Sequence, residues 1–278
     1  MSKRPVDIVV ISDVHLGTYG CHAHELVQYL KSIQPGMLVL NGDIIDIWQF
    51  SKRYWPKSHM QVLKEIVKIV AREIPVYYLT GNHDELLRKF TPFSLGNFHL
   101  LDQLVLETGG SKTWLFHGDV FDASMQQHTK WLAHIGSWSY DLLILLNRGI
   151  NRLLEALGRG KMSFSKTIKN SVKSAVSYIS DFEQAAATYA VEHGYDHVIC
   201  GHIHQPQIKT LVTPHGQITY LNSGDWVENL TALEYHEGQW SVFTWEMTRR
   251  DPLQTPADVS EETEIPHMSA PVGVASMA

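Results

Sequence analysis

Residues 6–15 read Val-Asp-Ile-Val-Val-Ile-Ser-Asp-Val-His, and this stretch carries the pattern that organises the chain. An apolar, β-branched run at 6–11 ends just before Asp13 and His15. Runs of this kind favour a buried β-strand. Polar residues that directly follow such a strand lie at its carboxyl end, which is where open α/β sheets bind their ligands. The stretch therefore predicts an α/β fold with a site at one edge of the sheet.

Strands and helices alternate through the first 120 residues. Apolar runs predict further strands at 37–40, 75–80 and 113–117. Helical spacing predicts helices at 23–33 and 58–72. The inward side of the second helix is predicted to consist of Val62, Ile66, Val67, Ile69 and Val70. Strand–helix–strand alternation implies a largely buried central sheet.

The chain changes in character after about residue 125. We interpret residues 125–193 as a helical cap insertion over the rim of the sheet, ending in an amphipathic helix at 165–193 that Gly194 terminates. Strands are then predicted at 196–201, 207–213, 218–222, 230–236 and 239–245. Residues 1–249 are expected to form one domain that includes the insertion. Residues 250–278 are polar and aperiodic, and we expect a disordered tail there.

Composition narrows the class of protein. The chain has 278 residues and a net charge of −6, so its overall charge would not attract nucleic acid. Two distant cysteines, Cys21 and Cys200, indicate no disulfide framework, and the apolar surroundings of Cys200 predict a buried thiol. No signal-peptide pattern and no membrane-length apolar run is present, so we expect a cytoplasmic protein.

Five polar clusters each follow a predicted strand. They are Asp13-Val14-His15, Gly42-Asp43-Ile44-Ile45-Asp46, Gly81-Asn82-His83-Asp84, His117-Gly118-Asp119 and Gly201-His202-Ile203-His204. Carboxylate, imidazole and amide ligands without thiolate suit two divalent ions such as Mn, Fe or Zn rather than a structural zinc ion. One such pair alone is weak evidence, because single histidines are more often structural. Five at strand ends, in this order, indicate a dinuclear metal site.

The order of these clusters resembles that of the calcineurin-like metallophosphoesterases. The resemblance covers about residues 6–245 and implies an α/β fold, a four-layer αββα sandwich of two mixed sheets. It implies that one metal is held by Asp13, His15, Asp43 and His204. The other is held by Asp43, Asn82, His117 and His202, with Asp43 as the bridge.

The same resemblance gives His83 a role beside the metals. In the family this histidine contacts the phosphate and assists the leaving group, and the second Asp of the G-D-x-x-D motif, here Asp46, orients it. Physical chemistry supports the role, because an imidazolium can protonate a departing oxygen and a carboxylate partner favours its charged form.

Within the superfamily the chain looks most like the bacterial UDP-2,3-diacylglucosamine hydrolases of lipid A biosynthesis. The supporting residues are Ser12-Asp13-Val14-His15-Leu16-Gly17, His117-Gly118-Asp119 and Asn170-Ser171-Val172-Lys173. The resemblance implies release of UMP and 2,3-diacylglucosamine 1-phosphate, with manganese as the expected metal. It implies substrate contacts from Asn82, His83, Asp122, Lys166, Lys169, Asn170, Lys173 and His202. The best-known hydrolases carry Arg where this sequence has His83, so a related branch with another substrate stays open.

The insertion fits an amphiphilic substrate on its own chemistry. Lys166, Lys169, Asn170 and Lys173 share one helix face that could meet phosphate. The segment Trp138–Leu157 has more apolar residues than one helix face needs, so it could line an acyl-chain groove or contact the cytoplasmic side of the inner membrane. An ordinary helical hairpin with a solvated basic face is the alternative. Trp48, Tyr54 and Trp55 are candidates for a rim that contacts a nucleobase or lipid.

Three other functions compete with a nucleotide-lipid hydrolase. A phosphodiesterase or phosphatase of small nucleotides would need no insertion for activity. A non-catalytic scaffold is disfavoured, because buried carboxylates without metal are costly. A nuclease is disfavoured by the acidic balance and the absence of a basic stripe.

Overall fold

The computed structural model describes residues 3–48, 54–121 and 165–246, without the side chains of residues 165–175. Met1–Trp245 forms one compact unit. Its first part contains β1 Arg4–Ile11, α1 Ala23–Ser32, β2 Ile33–Asn41, α2 Lys57–Val70, β3 Val76–Leu79, a 3-10 helix Glu85–Phe90, β4 Phe93–Leu95, β5 Phe98–Leu101, β6 Gln103–Thr108 and β7 Ser111–Phe116. Its second part contains α3 Ser165–Glu192, β8 His197–Cys200, β9 Gln207–Thr213, β10 Gly216–Asn222, β11 Thr231–His236 and β12 Gln239–Thr244.

The strands form two mixed sheets. The first has seven strands in the order β12-β11-β1-β2-β3-β5-β4, and the second has five in the order β6-β7-β8-β10-β9. Strands β1, β2, β3 and β5 run parallel in the first sheet, and β7, β8 and β10 run parallel in the second. The outer strands of both sheets are antiparallel to their neighbours. Parallel strands bring their carboxyl ends to one edge, which is the requirement for a shared site.

The alternation of side chains along β1 explains the layers. Val9 and Ile11 pack into the core that holds α1 and α2, whereas Ile8 and Val10 pack against Leu115, Ile199 and Leu221 of the second sheet. Successive strand residues point to opposite faces, so both faces of β1 are buried. The outer face of the second sheet is covered by α3 through Phe182, Ala186, Ala187 and Ala190. The predicted four-layer αββα sandwich of two mixed sheets is confirmed.

The structure revises the extent of the predicted cap. From Phe182 to Ala190, α3 is one layer of the sandwich, because its apolar face packs on Trp114, Phe116 and Tyr220 of the second sheet. This part of the chain does not lie over the rim. Asp122, Trp138–Leu157 and residues 250–278 lie outside the described residues, as do the side chains of Lys166, Lys169, Asn170 and Lys173.

Most predicted elements are present, with local differences. Gly194 ends α3 with a φ of +72°, as predicted. Val67 is 63% exposed and does not belong to the inward face of α2. The strands β4, β5 and β6 were not predicted. Cys200 is buried and both cysteines are free. Within the described ranges, no helix combines the length and the apolar composition that crossing a membrane requires.

Candidate metal centre

All five polar clusters lie at the edge where the parallel strands end. Asp13 and His15 follow β1, Asp43 follows β2, and Asn82 follows β3 in the first sheet. His117 follows β7, and His202 and His204 follow β8 in the second. Hydrogen bonds join the clusters directly: the Asp13 N–H donates to the Gly42 carbonyl (3.1 Å), and the His202 N–H donates to Asp13 Oδ2 (3.0 Å). The edge therefore forms one continuous cluster across both sheets.

The ligand atoms gather into groups small enough for metal ions. Asp13, His15 and His204 form one group, and Asp43, His117 and His202 form another, with candidate ligand atoms within 4.8 Å of one another in each. Asp43 also groups with His15 and His83. Asp43 thus stands between the two groups, in the position that a bridging carboxylate requires. These groups bring together six of the seven residues for which the resemblance implies metal binding, and they add His83.

The backbone at these residues is held in a conformation that side chains usually avoid. Asp13, His15, Asp43, His202 and His204 all have φ between 51° and 66°. A non-glycine residue in this region is uncommon, and such residues concentrate at active sites, where the surrounding structure imposes them. Five of the seven predicted ligands share this geometry. The strand ends are thus built to aim these side chains, at a cost in backbone energy.

Two buried polar atoms fit bound metal. Asn82 Oδ1 and His117 Nε2 are among the buried side-chain atoms without a hydrogen-bond partner in the described part of the chain. His117 Nδ1 lies 2.9 Å from the Asn41 carbonyl. Because a carbonyl oxygen can only accept a hydrogen bond, Nδ1 carries the proton in this contact. This fixes Nε2 as the inward atom, 3.2 Å from Asp43 Oδ2 but not aligned for a hydrogen bond. An imidazole nitrogen and an amide oxygen left without partners beside carboxylates are suitable ligands for divalent ions.

The charged residues of the cluster shift one another's pKa values when no metal is bound. Burial favours a high pKa for Asp13, but the charges of His204 and His117 outweigh it and lower the pKa to about 2. Asp43 also has a lowered pKa, because His117 and His15 outweigh its burial. Burial would lower the pKa of His204, but Asp13, at 3.2 Å, raises it to about 9. The carboxylates are therefore ionised and attract cations.

His83 and Asp46 form the predicted pair beside the metal groups. His83 Nδ1 lies 2.9 Å from Asp46 Oδ2, and the backbone N–H of His83 donates to Asp43 Oδ1 at 2.8 Å. Burial acts to lower the pKa of His83, but the hydrogen bond to Asp46 and the charge of Asp43 raise it overall. The ring of His83 lies edge-on to His15, with centroids 4.7 Å apart. His83 can therefore hold a proton at Nε2 beside the cluster.

The roles of three supporting residues are not predicted from the sequence. Asp84 accepts hydrogen bonds from the Tyr78 hydroxyl and from the backbone of Gly81 and Ile44, so it ties two strand-end loops together. Asp225 follows β10 and lies 3.8 Å from His204 Nδ1. The sequence feature that indicates Asp225 is its position after a buried strand, which it shares with the five clusters. The Asn41 carbonyl orients His117, and a backbone carbonyl leaves no sequence signal.

Glycines keep the loops close enough for the ligands to meet. A Cβ at Gly81 would collide with the side chain and backbone of Asp43. A Cβ at Gly201 would lie 2.5 Å from Asp13 Oδ2 and 2.7 Å from Ser12 Oγ. Any side chain at either position would therefore push a central carboxylate out of place.

One aromatic residue of the predicted rim borders the cluster. Trp48 is 58% exposed and its ring centroid lies 6.0 Å from that of His83. Tyr54 is half-buried, and its ring is tilted against the exposed Tyr19 with the centroids 3.8 Å apart. Trp55 is half-buried as well and packs against the core that holds α1 and α2. Asp122 and the basic residues of α3 cannot be placed around the site, because they fall outside the described side chains.

Residues 6–206 match the calcineurin-like phosphoesterase family. The chain belongs to this family. A UDP-2,3-diacylglucosamine hydrolase of Stenotrophomonas maltophilia (strain K279a) is 25% identical over 242 residues, which are 84% of this chain and 96% of the relative. A protein of the same name from Aliivibrio fischeri (strain MJ11) is 23% identical over 248 residues, 84% of this chain and 97% of the relative. Family and relatives together identify a metal-dependent hydrolase.

Solved structures show weaker likeness. A dimetal phosphatase from Danio rerio is 14% identical with a TM-score of 0.38, covering 87% of this chain and all of that one. A structure described as a novel archaeal phosphodiesterase is 12% identical with a TM-score of 0.38, covering 85% of this chain and 98% of that one. Both TM-scores are low, so neither likeness bears on function.

Proposed function

We propose that this chain is a two-metal phosphoesterase whose ions are held by Asp13, His15, Asp43, Asn82, His117, His202 and His204. The observation that supports this most strongly is the pair of buried ligand atoms without a hydrogen-bond partner, Asn82 Oδ1 and His117 Nε2, beside ionised carboxylates. Mixed oxygen and nitrogen ligands suit manganese, with iron or zinc as alternatives. When bound, two such ions would activate a water molecule for attack and would stabilise negative charge on the phosphoryl oxygens.

The remaining steps belong to the protein's own side chains. His83 donates from Nδ1 to Asp46, and the negative charges of Asp46 and Asp43 favour its imidazolium form, which carries a second proton at Nε2. We infer that this proton passes to the departing oxygen, which is the role of a general acid. We expect Asn82 and His202 also to contact the phosphate. Asp46 is buried and holds the ring of His83 in one orientation.

We further propose that the substrate is UDP-2,3-diacylglucosamine, cleaved at its pyrophosphate bond to UMP and 2,3-diacylglucosamine 1-phosphate, a step of lipid A biosynthesis. The support is that relatives bearing this hydrolase name align over 96–97% of their own length. The exposed Trp48 beside His83 offers an aromatic surface to a nucleotide or lipid. Asp122, Lys166, Lys169, Asn170 and Lys173 remain predicted substrate contacts.

The direct test supplies the purified protein with Mn²⁺ and UDP-2,3-diacylglucosamine and measures UMP. We expect UMP from the wild type and none from Asp43→Ala. The matched control is Asp7→Ala, since Asp7 is an exposed carboxylate in the first half of β1 that pairs with His236. Hydrolysis of an aryl phosphodiester without any UMP would contradict the lipid substrate and retain the metal mechanism. Full activity of Asp43→Ala on both UDP-2,3-diacylglucosamine and the aryl phosphodiester would contradict the two-metal mechanism.

The second candidate is a phosphodiesterase or phosphatase of small phosphoesters, and His83 is the observation that favours it. The imidazole pairs with Asp46 at 2.9 Å, whereas the best-known lipid hydrolases carry Arg here. The variant His83→Arg separates the two functions. If the lipid hydrolase proposal is right, His83→Arg still releases UMP from the lipid substrate, at a rate lowered by the loss of the general acid. If it abolishes that release while the wild type prefers aryl phosphodiesters, the second candidate is favoured.

A lipid substrate implies contact with the cytoplasmic face of the inner membrane. We propose such a peripheral contact, supported by the apolar composition of Trp138–Leu157. Sedimentation with liposomes of anionic phospholipid measures it. We expect binding by the full chain. Complete absence from the liposome pellet, with active enzyme in the supernatant, would contradict the contact.

A further inference from the structure

Arg88, in the 3-10 helix that follows His83, links the two sheets beside the metal centre. Its Nη2 donates to Asp119 Oδ2 at 2.6 Å, and its Nε donates to the Thr80 hydroxyl at 3.1 Å. Nη2 also lies 3.4 Å from the Thr80 carbonyl. Thr80 directly follows β3 of the first sheet, whereas Asp119 lies in the loop after β7 of the second. One guanidinium group therefore joins the loops that leave the two sheets.

Each end of this link lies two residues from a predicted metal ligand. Asn82 follows Thr80, and His117 precedes Asp119. The family resemblance assigns Asn82 and His117 to the same ion, and both carry a buried ligand atom without a hydrogen-bond partner among the described residues. Because the two ligands come from different sheets, the distance between them depends on the groups that hold their loops together. Arg88 is one such group.

The contact between Arg88 and Asp119 is largely shielded from water. Only 10% of the Asp119 side chain and 34% of the Arg88 side chain are exposed. A hydrogen bond between two charged groups is stronger than one between neutral groups, and removing one member of a largely buried pair leaves the other charge unpaired. Within the described ranges, Arg88 is the one cation that pairs with Asp119. The Thr80 hydroxyl donates in turn to Asp102 at 2.8 Å, so the other anchor of Arg88 is itself held in place.

We propose that Arg88 is a positioning residue for one of the two metal ions, the one that Asn82 and His117 share. By holding the two loops together, Arg88 sets the distance between these ligands without touching the ion or the substrate. The proposal rests on the two-metal function proposed above. It also gives a role to Asp119, a residue of the five clusters that neither ligand set includes.

This role predicts a selective effect on metal binding. The ligands of the other ion, Asp13, His15 and His204, lie in the loops after β1 and β8, and none of the described hydrogen bonds of Arg88 is with either loop. Loss of Arg88 should therefore weaken the binding of one ion and leave the affinity for the other unchanged. A residue that only stabilises the fold would affect both ions alike or neither.

The experiment titrates the metal-free, full-length protein with Mn²⁺ by isothermal titration calorimetry at constant pH. It compares Arg88→Gln with Lys89→Gln, since Lys89 is exposed on the same 3-10 helix and this control removes the same charge without breaking the link. Asn82→Ala identifies the binding step that belongs to the ion shared by Asn82 and His117. If Arg88→Gln does not fold, Asp119→Asn removes the charge at the other end of the link and should weaken the same step.

We expect the wild type and Lys89→Gln to bind two ions with the same pair of affinities. In Arg88→Gln, the step identified by Asn82→Ala should weaken by about tenfold or more, the usual effect of removing a group that supports a metal ligand, and the other step should be unchanged.

Unchanged affinities in Arg88→Gln, with two ions bound by the wild type, would overturn the role of Arg88 and leave the two-metal function intact. Equal weakening of both steps, or weakening only of the step that Asn82→Ala spares, would overturn that role as well. A wild type that binds fewer than two ions would contradict the two-metal function, and the role of Arg88 with it.

Discussion

A left-handed backbone conformation follows the ends of three strands, at Asp13, His15, Asp43, His202 and His204. Each such residue costs roughly 1–3 kcal/mol. Backbone hydrogen bonds between the loops hold them there, including the His15 N–H to the Asp43 carbonyl at 2.9 Å. The ligand side chains are consequently positioned before any ion binds.

The orientation of His83 leads to a prediction about pH. If His83 is the general acid, activity falls as pH rises through its pKa, because the imidazolium is lost. The Asp46 hydrogen bond helps to raise that pKa. We expect Asp46→Asn to lower kcat about 10–100-fold and to move the alkaline limb of the kcat–pH profile to lower pH. An unmoved limb would contradict the role of Asp46, and Asp7→Asn, which alters an exposed carboxylate, serves as the control.

Metal binding should also depend on pH. Without metal, Asp13 raises the pKa of His204 to about 9, so His204 is protonated at neutral pH and must lose that proton to become a ligand. We expect the Mn²⁺ affinity, measured by isothermal titration calorimetry, to rise between pH 6.5 and about pH 9 with proton release. An affinity independent of pH across this range would argue against His204 as a ligand.

At the residue scale, candidate ligands could be predicted because they belong to motifs. Groups that only support those side chains could not. Asp13, His83 and His117 were identifiable because their spacing is specific. Asp225 and the Asn41 carbonyl were not, since one lies outside the motifs and the other is a backbone atom. Their roles depend on how the two sheets meet.

Helix α3 is the element whose packing differs most from the prediction made from the sequence. Phe182 is fully buried, lies close to Gly118, and has its ring 6.0 Å from that of His202. Glu183 is held by Lys209 at 2.6 Å, and by Gln207, on β9. The helix is thus anchored to the second sheet beside the metal centre. Helical periodicity identifies the apolar face of α3 but not the surface that covers it.

This packing leads to a prediction about stability. Phe182→Ala removes a fully buried ring and should lower the free energy of unfolding by about 3–5 kcal/mol. Val176→Ala on the same helix, where Val176 is 60% exposed, should change it by less than about 0.5 kcal/mol. Urea denaturation measures both. Equal losses in the two variants would show that α3 does not pack on the second sheet.

Strands β4 and β6 were missed for a physical reason. β4 has three exposed residues, and β6 alternates between exposed and half-buried ones, so neither carries the apolar run that marks a core strand. The strands that hold the site, such as β1 and β8, are apolar and buried on both faces. The elements that build the site were therefore the easiest to predict.

At the scale of the whole molecule, the two sheets meet at the cluster and share its charge. Asp13 of the first sheet lies 3.2 Å from His204 of the second, and Asp43 lies 3.2 Å from His117. Bound ions would link the sheets further, and anything that binds only the folded state stabilises it. We therefore expect chelation by EDTA to lower the Tm and Mn²⁺ to restore it. A Tm insensitive to both would contradict a metal centre between the sheets.

The central claim is that Asp43 bridges two metal ions. Metal content per chain, measured by inductively coupled plasma mass spectrometry after loading with Mn²⁺ and desalting, tests it most directly. The wild type and an Asp7→Asn control, altered at an exposed carboxylate, should retain about two ions per chain. Asp43→Asn should retain fewer than either. A wild-type content of one ion or none, or an Asp43→Asn content equal to that of the wild type, would contradict the claim.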